Sequence, residues 1–243
     1  MRARLFACLL VMLATGCADR GARVVVFASA SMATAFERIA AAFEQAHDGV
    51  DVVVHTGGTP LLVLQLREGA PADVFASADE LQMRRVVDAG QVRGDAVAFA
   101  HNRLAIVARA DVAPELHHLV DLTREGLAVA LCGPEVPAGR YARQALAKAA
   151  VTLAPVSDEP SVSAVLSKVR LGQIDAGIVY TSDAARAPDL RIAPIEDRHN
   201  VHTSCWIAAL DTGAPDADAA AFVAFVQSEQ ARAILRTAGF EAP

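Results

Sequence analysis

Four segments of the chain repeat one order of hydrophobic and polar positions. Each has a run of β-branched or aliphatic residues, then a turn of small or hydroxyl-bearing residues, then a helix with apolar residues on one face. The four runs begin at Val24, at Val50, at Leu127 and near Pro155, and the predicted helices begin at Met32, near Leu61, at Arg140 and at Val162. The first turn of a helix offers free backbone N–H groups and the positive end of the helix dipole. The pattern therefore predicts an anion site at the carboxyl ends of strands that needs no charged side chain.

Predicted strands and helices alternate along the whole chain, with further helices predicted over residues 80–89 and 219–237. Such alternation is typical of an α/β protein with mainly parallel sheets. Strand-like runs over residues 102–108 and 201–210 lie almost symmetrically about the middle of the chain, and we interpret them as crossovers. The chain then forms two lobes, the first from residues 24–103 plus 205–243 and the second from residues 104–204.

The first 16 residues are typical of an export signal. Arg2 and Arg4 precede an apolar run that is too short to span a membrane. The small residues before Cys17 resemble the lipobox of bacterial lipoproteins, although Ala14 stands where Leu is commoner, so we expect Cys17 to be the lipidated first residue of the mature chain. The alternative is plain cleavage nearby, for example after Ala18 or Ala22. Either process places the folded part outside the cytoplasmic membrane.

Composition limits the classes of partner. With 53% hydrophobic residues among 243, the chain can bury a sizeable core. Loss of Arg2 and Arg4 with the signal reduces the 22 Lys and Arg to 20, against 28 Asp and Glu, a formal charge of −8. This charge argues against nucleic acid or an anionic membrane surface as the partner. An anionic ligand must then be held by local dipoles.

Cysteine and histidine spacing indicates no metal site. Cys8 leaves with the signal, so Cys132 and Cys205 are the thiols of the folded part besides Cys17. Export permits a disulfide between them, and two small buried thiols are the alternative. The histidine pairs 117/118 and 199/202 have no accompanying cysteines or carboxylates at ligand spacing.

Five motifs, in order along the chain, resemble those of the periplasmic molybdate-binding proteins of ABC transporters. They are VFASAS at 26–31, GAPADVFASADE at 69–80, NRLAIVA at 102–108, PEVPAGRYARQAL at 134–146 and DAGIVYTSDA at 175–184. The resemblance extends from Val24 to Phe240. It implies a two-lobed periplasmic binding protein fold of type II, with a mainly parallel sheet flanked by helices in each lobe and two crossover strands between the lobes.

The resemblance also implies a function and a site. We expect a monomeric, non-catalytic binding protein without a cofactor, located in the periplasm or on the outer face of the cytoplasmic membrane. It would capture molybdate, and also tungstate, and deliver the oxyanion to an ABC permease in the cytoplasmic membrane. The protein would contact the membrane itself only through its lipid anchor. The family's oxyanion ligands fall on Ser31, Thr59, Ala138, Val162 and Tyr180, with hydroxyl groups from Ser31, Thr59 and Tyr180 and backbone N–H groups at the helix starts.

Two of these positions depart from the family pattern. The loop at Thr59 reads HTGGTPLL where the family more often has Ser at this position, and Pro60 removes a backbone donor. The placement of Ala138 depends on the match of the letters VPAG at 136–139, because the preceding loop is one residue shorter. For Ser31 a helix N-cap, for Val162 a core position and for Tyr180 a half-buried strand end are the structural alternatives. Asp73 and Asp79 are interpreted as turn and helix caps and not as catalytic groups.

A tetrahedral dianion has acceptor oxygens only, so its site should contain donors only. None of the five positions carries a carboxylate that would accept the proton of hydrogen phosphate. Sulfate has the same charge and shape as molybdate and is smaller, so a sulfate or other small-oxyanion receptor is the first alternative. A serine hydrolase is an alternative from another class, but the chain has no G-x-S-x-G nucleophile elbow.

Overall fold

A computed structural model describes residues 22–111, 116–212 and 217–243. The predicted signal and Cys17 lie outside these residues. Ten strands are present: β1 Ala22–Ser29, β2 Val50–Gly57, β3 Val74–Ser77, β4 Val92–Asn102, β5 Leu104–Ala108, β6 Val129–Cys132, β7 Ser157–Glu159, β8 Ala176–Tyr180, β9 Arg191–Pro194 and β10 Thr203–Leu210. Eight α-helices accompany them: α1 Ala33–Ala46, α2 Thr59–Arg67, α3 Glu80–Asp88, α4 Pro137–Lys148, α5 Val162–Arg170, α6 Thr181–Ala185, α7 Ala217–Val226 and α8 Glu229–Thr237. Both counts refer to the described residues.

The strands form two five-stranded sheets, in the orders β2-β1-β3-β10-β4 and β7-β6-β8-β5-β9. In the first sheet only β10 runs against the other strands, and in the second only β5 does. Each of these two strands follows the point at which the chain arrives from the other sheet. The α/β architecture with mainly parallel sheets and two crossovers is therefore confirmed, with one reversed strand in each sheet.

Helix boundaries follow local sequence signals. α2 and α4 begin earlier than expected because Pro60 and Pro137 occupy their first turns, where a missing N–H has no cost. α5 begins at Val162 as predicted. The single helix predicted over residues 219–237 is wrong: the chain breaks at Ser228, whose Oγ accepts the N–H of Ala231 at 3.2 Å and caps α8.

Apolar packing connects the sheets and their helices. One cluster contains buried residues of both sheets and of their helices, such as Ile106 of β5 and Phe36 of α1. A second cluster covers the other face of the first sheet and includes Leu62 of α2 and Met83 of α3. This packing holds the helix starts at the strand ends, which is where the candidate site lies. Among the described helices, none combines the length and the apolar character needed to cross a membrane.

Candidate functional site

A cavity lies between the two sheets, at the carboxyl ends of their strands. The first sheet contributes the end of β1 with the following turn, the loop between β2 and α2, and the residue after β3. The second contributes the starts of α4 and α5 and the end of β8. Its lining consists of Ser29, Ala30, Ser31, Gly57, Gly58, Thr59, Ala78, Val136, Pro137, Ala138, Ser161, Val162 and Tyr180.

All five residues expected to form the site lie in this one cavity. Ser31 and Thr59 reach it from the first sheet, and Ala138, Val162 and Tyr180 reach it from the second. Each is at most 4% exposed. The structure thus brings together residues up to about 150 positions apart, although their contact with a ligand remains a prediction.

Three of the five stand in the first turn of a helix. Thr59 and Val162 are the first residues of α2 and α5, and Ala138 is the second residue of α4. Ser161 fixes the start of α5, because its Oγ accepts the N–H of Ala164 at 3.3 Å. N–H groups in a first helical turn have no partner within the helix. Three helix N-termini therefore present donors and partial positive charge to the same space.

Ser31 lies in a 3₁₀ turn, Ala30–Met32, that joins β1 to α1. The N-cap of α1 is Met32, and no side chain caps that helix. The alternative role of Ser31 as an N-cap is therefore wrong. Ser31 is buried and lines the cavity, so it can serve a ligand.

Tyr180 ends β8 and is 1% exposed, so the half-buried position considered for it is wrong. Its Oη has no hydrogen-bond partner among the described residues. Burial, followed by nearby Tyr141, Cys205, Cys132 and Asp183, raises the pKa of its hydroxyl well above the ordinary value. The hydroxyl group therefore stays protonated, and a buried donor without a protein partner indicates that a bound group accepts its hydrogen bond.

Ser29 is a site residue that the sequence reasoning missed. Its Oγ lies 2.8 Å from Thr59 Oγ1, accepts the N–H of Ala78 at 3.0 Å and lies 3.1 Å from the carbonyl oxygen of Ala76. It thus connects β1 to the start of α2 and to the end of β3. The available signal was the spacing of two serines in VFASAS, of which only the second was selected.

No residue that lines the cavity, within the part of the chain described, carries a formal charge. Asp183, three residues after Tyr180, is fully buried beside Arg186. Burial raises the pKa of this carboxyl group to about 6, while Arg186 and the backbone N–H of Tyr180 lower it. Across residues 22–111, 116–212 and 217–243 no three His, Cys, Asp or Glu side chains are grouped as a metal site.

Cys132 and Cys205 are separate, buried thiols. Of the two arrangements considered for them, the structure has the unbridged one. Burial raises the pKa of both thiols, so neither is poised to react as a thiolate. Asp79 has the capping role expected for it, because its Oδ1 accepts the N–H of Gln82 at 2.9 Å at the start of α3.

Loops from the two sheets approach each other closely beside the cavity, at Gly58 and Pro160. A Cβ atom placed on Gly58 would overlap the carbonyl oxygen of Pro160. Gly58 belongs to the loop before α2, and Pro160 precedes the N-cap of α5. The present closure of the cavity therefore requires glycine at position 58.

Comparison with known proteins gives results of three kinds. Residues 24–241 match the family model of the bacterial extracellular solute-binding proteins. The chain is 42% identical over 226 residues to the molybdate-binding protein ModA of Mycobacterium tuberculosis, covering 92% of this chain and 87% of that protein. Among solved structures, the periplasmic molybdate-binding protein of Azotobacter vinelandii superposes with a TM-score of 0.78 at 21% identity, covering 90% and 99% of the two chains.

A further structure, the sulfate-binding protein SubI of M. tuberculosis, superposes almost as well. Its TM-score is 0.74 at 20% identity, with coverage of 91% of this chain and 87% of that one. Receptors named for different oxyanions therefore share this fold. Similarity of fold alone therefore does not distinguish a molybdate receptor from a sulfate receptor.

Proposed function

Because the chain belongs to the bacterial extracellular solute-binding protein family, we propose that it captures molybdate and delivers it to an ABC-type permease for import. The cavity carries this proposal: it has uncharged donors from both sheets, three helix N-termini and a buried Tyr180 hydroxyl without a protein partner. Such a site suits a fully deprotonated tetrahedral dianion, which only accepts hydrogen bonds. The 42% identity to a molybdate-binding protein favours molybdate over sulfate.

The ligand would be held by the five residues expected from the sequence. Ser31, Thr59 and Tyr180 would donate hydroxyl protons, and Ala138 and Val162 would donate backbone N–H groups. Two of the five residues belong to the first sheet and three to the second, so full coordination requires the two lobes to be closed. Neutral donors discriminate by distance more than a charged clamp does, and they allow the anion to leave again.

The first lobe would comprise residues 24–103 plus 205–243, and the second residues 104–204. Closure would then be a hinge motion about the crossovers before β5 and β10. The role is binding and transport, and the protein would catalyse no reaction, need no cofactor and act as a monomer. Tungstate, which has the same charge and shape, would share the site.

The decisive experiment is calorimetric titration of the chain without residues 1–17 with molybdate, tungstate, sulfate and phosphate, with Tm measured in parallel. We expect heat and a raised Tm with molybdate and tungstate only, because a ligand stabilises the state that binds it. Binding of sulfate alone would show that the ligand is sulfate and not molybdate, and it would still support the anion site. No response to any of the four would contradict the proposal.

We also propose that Cys17 carries a lipid that anchors the protein at the outer face of the cytoplasmic membrane. The residues before Cys17 support this location, and a periplasmic protein without a lipid is the alternative. Expression of the complete chain beside its Cys17→Ser variant tests it. Wild type in the membrane fraction and the variant in the soluble fraction are expected, and equal partition of both would contradict the anchor.

A further inference from the structure

One helix of the first lobe makes contacts across the cleft beside the ligand cavity, through residues that are not part of the cavity lining. This helix, α3, packs on β3, β4 and β10 of the first sheet, whereas α4 packs on β6 and β8 of the second. Asp79, the N-cap of α3, forms an ion pair with Arg140 of α4. Gln82 of α3 donates from Nε2 to the carbonyl oxygen of Glu135 at 3.1 Å. Two buried polar groups of one lobe therefore have their partners on the other lobe.

The Asp79 carboxylate depends on the second lobe for its countercharge. Its side chain is 0% exposed, and its two oxygens are used by different partners: Oδ1 accepts the N–H of Gln82, and Oδ2 accepts from Arg140. A buried carboxylate is costly unless it is paired and hydrogen-bonded. Separation of the lobes would remove the only cation that the described structure gives Asp79. Closure is therefore favoured by a charge interaction that no ligand atom enters.

The contacts lie on both sides of an expected ligand contact. Glu135 precedes Ala138 by three residues, and Arg140 follows it by two. Because Glu135 and Arg140 both contact residues at the start of α3, their contacts fix the first turn of α4, whose N–H groups face the cavity. The contact between Arg85 and Glu135 at 3.5 Å adds little, because both side chains are largely exposed.

We propose that Asp79 and Arg140 form an inter-lobe latch that positions the start of α4 and slows the release of the bound oxyanion. The proposal rests on the proposed function for its ligand. Neither residue lines the cavity, so both are positioning residues. The latch acts on the closed form, so its loss raises the dissociation rate constant and leaves the association rate constant nearly unchanged.

Asp79→Asn is the sharpest variant, because asparagine caps helices as well as aspartate does while it removes the charge. Arg140→Gln removes the other partner, and Arg140→Lys keeps the charge. Glu80→Gln is the matched control, since Glu80 is the next residue of α3 and pairs at 2.7 Å with exposed Arg84 of the same helix. Molybdate association and dissociation are measured by stopped flow for all four variants, for the Asp79→Asn/Arg140→Gln double variant and for wild type.

We expect Asp79→Asn and Arg140→Gln each to raise the dissociation rate constant by about tenfold, equivalent to ~1.4 kcal/mol. The double variant should be no worse than the more affected single variant, because both lose one shared interaction. Arg140→Lys should recover part of the loss, and Glu80→Gln should match wild type. Unchanged rates in the single variants, or additive losses in the double variant, would overturn the latch.

A second measurement separates failure of the latch from failure of the proposed function. Small-angle scattering of the ligand-free proteins gives the radius of gyration without any assumption about the ligand. We expect a larger radius for Asp79→Asn and Arg140→Gln than for wild type and Glu80→Gln. If wild type binds no molybdate but the radii still differ in this way, the proposed ligand is refuted and the latch is retained. Equal radii would refute the latch.

Discussion

The hydroxyl oxygens of Ser29 and Thr59 lie 2.8 Å apart, and both residues line the cavity. Each hydroxyl has a single proton to donate. If Ser29 donates to the carbonyl oxygen of Ala76, 3.1 Å away, Thr59 must donate to Ser29 and has no proton for a ligand. If Ser29 donates to Thr59, the Thr59 proton is available. Binding of an anion at Thr59 would therefore select a chain of donors that runs from the N–H of Ala78 through Ser29 and Thr59 to the ligand.

This relationship predicts different results for two substitutions of Thr59. Thr59→Val removes the last donor of the chain, and we expect molybdate affinity to fall by about tenfold or more, the cost of one lost hydrogen bond to a charged group. Thr59→Ser keeps the donor and should bind within about threefold of wild type. Calorimetric titration measures both. A valine variant that binds as tightly as the serine variant would exclude the Thr59 hydroxyl from the site.

Tyr180→Phe should weaken binding without weakening the fold. The Oη group has no partner among the described residues in the absence of ligand, so its removal leaves no hydrogen bond broken in the empty protein. We expect an unchanged or higher Tm without ligand and a loss of affinity of about 10- to 100-fold, equivalent to ~1.4–2.7 kcal/mol. The other tyrosine of the chain gives the control, Tyr141→Phe, which lies outside the cavity lining and should retain full affinity. A lower Tm with intact affinity would assign Tyr180 to the core instead.

The sequence predicted the fold through local patterns. Each β-branched run that precedes an amphipathic helix became a strand, and the order of strands and helices indicated parallel pairing. The reversal of β5 and β10 was not readable in this way. A strand that enters from the other sheet has no helical crossover before it, so its direction is set by where the chain arrives. The break at Ser228 was missed because apolar residues continue at helical spacing on both sides of it.

The candidate site was predictable only in part. Positions such as Ser31 and Val162 follow from strand–turn–helix junctions together with the family resemblance. The contacts of Ser29 and the approach of Gly58 to Pro160 depend on how two sheets meet, which no local pattern determines. Asp79 was correctly interpreted as a cap, and its ion pair with Arg140 was not foreseen because 61 residues separate them.

Asp183 should make stability depend on pH in the direction opposite to most carboxylates. Burial raises the pKa of its carboxyl group from 3.8 to about 6, so the folded protein binds a proton more tightly than the unfolded chain does. Its protonated form contributes stability below pH 4 that is lost as the pH rises through 6. We expect the Tm of Asp183→Asn relative to wild type to be more favourable at pH 7.5 than at pH 4.5, measured by scanning calorimetry.

Asp189→Asn is the control for this pH dependence. The hydrogen bond from Arg170 lowers the pKa of Asp189, which is exposed, so the carboxylate form of this residue favours folding. Its pKa lies below 3.8, so the residue is a carboxylate in the folded protein from pH 4.5 to 7.5, and the relative Tm of this variant should stay nearly constant over the range in which that of Asp183→Asn changes. The same trend in both variants would show that the buried position of Asp183 is not the cause.

Gly58→Ala should prevent full closure of the cavity without unfolding the protein. The backbone at Gly58 has φ −59° and ψ 130°, which alanine adopts freely, so the substitution introduces no local strain. Its Cβ would overlap the carbonyl oxygen of Pro160 across the cleft. The lobes must then stay apart at this point, and the donors of α5 cannot reach a ligand held by Thr59.

We expect a loss of molybdate affinity of about 10- to 100-fold for Gly58→Ala, with a Tm in the absence of ligand within about 2 °C of wild type. Gly133→Ala is the matched control, because Gly133 does not line the cavity and its Cβ would come no closer than 3.9 Å to the carbonyl oxygen of Glu159. Equal affinity of the two alanine variants in calorimetric titration would mean that the approach of Gly58 to Pro160 does not limit binding.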